Sequence, residues 1–203
     1  DRWNQNSHQL FYLPSNETLK RLSLGHRSFF ADLIWIRGLL YVGAHFSNEK
    51  GSIEWLPRYV EAINSLEPLF RYPYVWGSTI INYNRKRATR KGVMKSIEIL
   101  KQGQRQFPYE HYFPYALGMS FLHEIKLGRR TESQLRKDLD NFCRKGTTPL
   151  KGRMPLIKQI RGCLRHRAAL YLLEAASKEK APTHYASLAA QVMKRDGSPY
   201  TAI

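Results

Sequence analysis

The stretches PLFRYPYVWG (68–77) and PYEHYFPYALG (108–118) share a proline, an aromatic cluster, a second proline, a tyrosine and a glycine, and little else. Pro68 and Pro108 are 40 residues apart, and Pro149 in TTPL follows after another 41. A fixed period in this range is the mark of stacked supersecondary units. Upstream of each proline lies an apolar set at i, i+4, i+7: Leu56, Val60, Ile63; then Val93, Ile97, Leu100; then Leu135, Leu139, Phe142. That spacing puts each set on one face of a helix.

A second helix follows each of the first two prolines. Pro73 and Pro114 stand where it begins, because a first-turn proline sacrifices no internal hydrogen bond. Three residues after Gly38, Gly77 and Gly118 come Tyr41, Ile80 and Phe121. Residues three apart share a helix face, so the glycine admits a neighbouring helix and the bulky residue fills the space beside it. Each unit reads as helix A, a polar loop, helix B and a proline turn. The loops are NEKGS (48–52), RKRATRKG (85–92) and GRRTES (128–133).

Beyond Pro149 the helical pattern continues through Leu156, Ile160, Cys163 and Leu164, then AALYLLEAAS, and resumes as HYASLAAQVMKR after a break at 180–182. The chain therefore divides into an arm and lead-in helix over 1–28, three degenerate repeats over 29–149, and a fourth irregular repeat or capping helices with a tail over 150–203. The lead-in helix begins near the cap residues Ser15 and Asn16, with Glu17 in its first turn.

At this point the sequence resembles the tetratricopeptide repeat family. Leu117, Gly118, Phe121 and Pro149 match its pattern in one unit; Gly77, Leu100, Gly103 and Pro108 in another; Gly38, Tyr41 and Pro68 in the first. The period of 40 to 41 residues exceeds the family's roughly 34, with the excess mostly in the loops between A and B. The resemblance implies an all-α, right-handed helix-turn-helix solenoid of three to four pairs. It also implies protein partners within a larger assembly. The segment SLGHRSFFADLIWIRGLLYVG further resembles the leading part of bacterial tetratricopeptide proteins that are exported or anchored on the membrane's outer side, which implies a location in the periplasm or on a membrane facing it, with the cytoplasm as the alternative.

Charge says where a partner would bind. Of 203 residues, 33 are Lys or Arg and 16 Asp or Glu, for a net +17. Residues 85–167 alone hold 21 basic against 6 acidic residues, which is +15 of that excess. Such a block points to an acidic surface, a nucleic acid or an anionic membrane. In a stack of helix pairs the A–B loops fall on one edge, which would gather Arg85, Lys86, Arg87, Arg90, Lys91, Arg129 and Arg130 into a basic ridge. Tyr74, Tyr112 and Tyr115 are candidates for an aromatic groove that grips a peptide, although inter-repeat packing is the commoner use of such residues.

Catalytic signals are missing from the sequence. His123-Glu124 has no second histidine at zincin spacing, and neither a phosphate loop nor a nucleophile elbow occurs. Cys163 and His166 share a helix face and Cys143 could approach them, but a structural zinc needs four ligands. Two cysteines are also too few for a disulfide framework. The expectation is a non-catalytic interaction scaffold without cofactor or metal, holding an acidic protein partner. The alternative is a helical-repeat protein that binds nucleic acid, with Lys and Arg on phosphates and tyrosines stacking on bases.

Overall fold

The computed structural model describes residues 13–47, 53–82, 89–125, 127, 131–143 and 155–194. Among them all regular structure is helical: α1 (Asn16–Leu22), α2 (Arg27–Ser47), α3 (Leu56–Leu66), α4 (Arg71–Asn82), α5 (Arg90–Gln106), α6 (Tyr112–Met119), α7 (Glu132–Cys143), α8 (Leu156–Ala176) and α9 (His184–Lys194). A π-helical turn, Ser120–Glu124, continues α6. The all-α class is thus as expected. The chain clusters into two compact units, Asp1–Phe107 and Pro108–Ile203, a division that falls inside the 29–149 span. Among the described residues no helix is long and apolar enough to cross a membrane.

In the first unit, helices adjacent in sequence pack together, α2 on α3, α3 on α4 and α4 on α5, while α1 rests on α3. The Ser15 hydroxyl accepts the Thr18 N–H at 3.2 Å and starts α1, satisfying one of the donors a helix leaves open at its first turn. Leu24 and Gly25 then take left-handed backbone, φ 47° and 93°, which turns the chain into α2. Helix α2 buries Ala31, Ile34, Gly38 and Tyr41 towards α3, and the Tyr41 hydroxyl accepts the Trp55 N–H at 3.3 Å.

The sets read at helical spacing form the core of this unit. Leu56, Val60 and Ile63 of α3 are at most 1% exposed, and Val93, Ile97 and Leu100 of α5 at most 3%. Pro73 lies in the first turn of α4, as its missing N–H requires. Gly77 presses on α3 so closely that an added Cβ would lie 2.5 Å from Val60 Cγ2. Between α4 and α5 the Asn82 amide donates to the Ser96 hydroxyl at 3.1 Å inside the core, and Thr89 caps α5 by accepting the Gly92 N–H. One detail differs from the sequence reading: Ile81, not Ile80, is the buried isoleucine after Gly77.

The second unit is organised around α8, against which α6, α7 and α9 all pack. Phe113, Leu117 and Gly118 are the buried face of α6. An added Cβ on Gly118 would meet Leu172 Cγ at 2.9 Å and the Ala168 carbonyl oxygen at 3.1 Å, both on α8. The period assigned α6 to a pair with α7; its main partner is α8 instead. The physical reason is composition. Helix α8 offers the small residues Ala168 and Ala169 beside Leu172 and Ala175, all fully buried, and this low surface lets a glycine-bearing helix approach. From the third helical set, Leu135 and Phe142 of α7 are buried.

Candidate functional site

Helix α8 carries Lys158, Arg161 and Arg165, all exposed, at i, i+3 and i+7. That spacing aligns the three cations along one face. Arg161 and Arg165 also line a cavity of about 310 Å³ whose other walls are Phe121, Leu122, Ile125, Leu127 and Leu164. Of the apolar wall, Phe121 and Leu122 come from the π-helical turn, which holds one more residue per turn than an α-helix, Ile125 and Leu127 from the chain just after it, and Leu164 from α8. Phe121 is held rigidly: it stacks on Tyr171 at 5.6 Å and 17°, meets Phe142 edge-on at 6.2 Å, and lies 5.6 Å from the Arg167 guanidinium. Burial raises the Tyr171 hydroxyl above the usual tyrosine range, with Arg167 opposing the rise, so Tyr171 is a neutral packing element.

An apolar hollow edged by two guanidinium forks has a defined chemistry. A hydrophobic side chain would fit such a hollow, and the exposed Arg161 guanidinium at its edge would offer planar donors to a carboxylate beside it. In sequence these residues were visible only as part of a basic stretch. Their common face is set by the helix, but their apposition to Phe121 required the packing of α6 on α8.

The residues singled out from sequence fare differently. Arg85, Lys86, Arg87, Arg129 and Arg130 lie outside the described residues. Arg90 and Lys91 form the first two positions of α5, with Lys91 exposed and Arg90 half-buried. Cations there add to the positive end of the helix dipole, so helix stability does not account for them. Farther along α5, Lys95 pairs with Glu61 of α3 and with Glu98.

Of the aromatic candidates, Tyr74 is corrected from groove to core. It is 2% exposed, donates its hydroxyl to the Pro68 carbonyl at 3.1 Å, and is pushed up to a pKa of about 12 by burial. Tyr112 is half-buried and meets Phe113 edge-on at 5.6 Å. Tyr115 stacks on Tyr185 of α9 at 4.4 Å and packs on a cluster of Ala169, Leu172, Ala189 and Val192. Each of the three is engaged within its own unit.

Cys143, at the end of α7, and Cys163, on α8, are joined in a disulfide with Cα atoms 5.7 Å apart, within the usual span for this bond. The spacing that puts Cys163 and His166 on one helix face, within possible reach of Cys143, therefore serves no thiolate metal site, because the bond removes both cysteines as thiolate ligands. Among the described residues no group of three or more His, Cys, Asp or Glu could hold a metal ion. The available signal was modest, since each cysteine continues an apolar face of its helix. No family model, curated protein or solved structure matches the chain.

Proposed function

We propose that the chain is a non-catalytic protein-binding scaffold, a degenerate tetratricopeptide-like solenoid that serves as a subunit of a larger assembly and holds an acidic partner. The observation that carries this reading is the row Lys158, Arg161 and Arg165 beside the apolar cavity under Phe121. A partner segment with an apolar residue flanked by Asp or Glu would fill the hollow and pair with the guanidinium groups, with long-range attraction to the basic block steering its approach. The lysines and arginines at 85–87, 90, 91, 129 and 130 add their charge to that long-range attraction. We assign the protein to the periplasm or the periplasmic side of a membrane. The Cys143–Cys163 disulfide supports this, because such bonds persist in oxidising compartments.

The test measures binding of the full chain, and of the triple variant Lys158→Glu, Arg161→Glu, Arg165→Glu, to an acidic peptide library and to random single- and double-stranded nucleic acid across a salt series. Capture of acidic peptides bearing an apolar residue, lost in the variant, is expected. Tight binding to random nucleic acid with a steep salt slope would instead favour phosphate recognition.

A further inference from the structure

Helix α2 is apolar on two opposite faces. One face, Ala31, Ile34, Gly38 and Tyr41, is buried towards α3. The other carries Phe29, Leu33, Ile36 and Leu40, which are 60%, 48%, 53% and 69% exposed. Single exposed apolar residues are normal, but a helix apolar all round is one that is covered on both sides. The outward four are spaced 4, 3 and 4 residues apart, which is the d-a-d-a alternation of a coiled-coil seam. Over this span the seam is about 17 Å long, and it ends at Gly43, the next d position, which has no side chain to extend it.

Charge selects the occupant. Between Ser28 and Ala44 the only charged residues are Asp32 and Arg37, both exposed. With Leu33 and Leu40 at a, Asp32 falls at g and Arg37 at the following e position. In a parallel two-stranded pair, g of one helix faces e of the next heptad on the other, five residues on. Asp32 and Arg37 are five residues apart. A two-fold pair of α2 helices would therefore match Asp32 with Arg37 of the second copy twice over, as a self-complementary interface demands. An anionic membrane would call for Lys and Arg along the edges of the apolar face, whereas this seam is electrically balanced. Residues 1–84 as a whole hold 8 basic and 7 acidic residues, so the basic excess lies in another part of the chain and little local repulsion opposes self-association.

We infer that the outward face of α2 is a homodimer seam, covered by α2 of a second copy of this chain in parallel orientation. Two heptads make a short interface, so the dimer is reversible and driven by concentration.

Sedimentation equilibrium of the full chain over a concentration series should show monomer passing to dimer. Ile36→Glu and Leu40→Glu should each raise the dissociation constant at least about tenfold with helicity unchanged. Asp32→Arg and Arg37→Asp should each dissociate the dimer, because each places like charges opposite one another, while an equimolar mixture of the two variants should form a heterodimer. Arg37 also lies close enough to Tyr59 to hold its pKa down against the rise from burial. Should Arg37→Asp disturb the fold, Asp32→Arg and Ile36→Glu, which change only exposed side chains, still decide the matter. A monomer at every concentration overturns the inference, as does a dimer indifferent to Ile36→Glu and Asp32→Arg, or failure of two folded charge variants to pair when mixed.

Discussion

Breaking the disulfide should weaken the second unit by a predictable amount. Cys143 and Cys163 are 20 residues apart, and closing a loop of that length removes enough denatured-state entropy to stabilise the fold by about 3 kcal/mol on the chain-entropy account. That is about two orders of magnitude in the unfolding equilibrium. The bond also has a local task. Helix α7 has only 12 residues, too few to persist alone in water, and its described grip on the unit consists of buried Leu135, Phe142 and Asp138. The perturbation is the double replacement Cys143→Ala, Cys163→Ala, compared with the oxidised and the chemically reduced wild type. Urea unfolding followed by circular dichroism should give a lower midpoint for the variant and the reduced protein alike. The urea dependence should steepen as the untethered denatured chain exposes more surface. Equal midpoints for all three, with the bond verified by mass spectrometry in the oxidised sample, would refute the reasoning. So would two free thiols in the native protein after oxidative refolding.

Four further outcomes rest on the packing. Gly118→Leu should lower stability by about 1 to 3 kcal/mol, since even a Cβ there approaches the Ala168 carbonyl at 3.1 Å. By contrast, Gly38→Ala should raise the melting temperature slightly, because its Cβ would sit 3.7 Å from Tyr59 in ordinary contact and gain up to about 1 kcal/mol of helix propensity; equal effects at both sites in thermal melts would contradict the geometry. Asn64 is buried in α3 with neither side-chain atom hydrogen-bonded among the described residues, so Asn64→Leu should stabilise by about 1 kcal/mol, and a loss in urea titration would show that the amide has a partner. Finally, Tyr74 keeps its proton in the folded chain up to a pKa of about 12 but ionises near 10 when unfolded. Its contribution is whole below pH about 10 and is lost as pH rises towards about 12, some 2 to 3 kcal/mol in all. Tyr74→Phe should flatten that alkaline decline in pH-dependent unfolding.

The amino-acid sequence by itself determined where the helices are. Leu56, Val60 and Ile63 could be assigned to one buried face, and Pro73 and Pro114 to first turns, because helical periodicity and the geometry of proline act over a few residues and need no distant partner. The same locality made Ser15 readable as a cap. What the sequence could not decide was which surface covers which. A buried stripe on α6 predicts a neighbour, and the period pointed to α7, but the fully buried alanines of α8 hold Gly118 and thereby bring Phe121 to Arg161 and Arg165. Cys143 and Cys163 became partners only when α7 docked on α8, and Tyr74 left the surface only when α4 met the rest of its unit. Helix α2 shows the limit most clearly. Its residues are apolar on both sides: the spacing of Gly38 and Tyr41 pointed to the packed face, but only the packing on α3 shows that Phe29, Leu33, Ile36 and Leu40 are left outside.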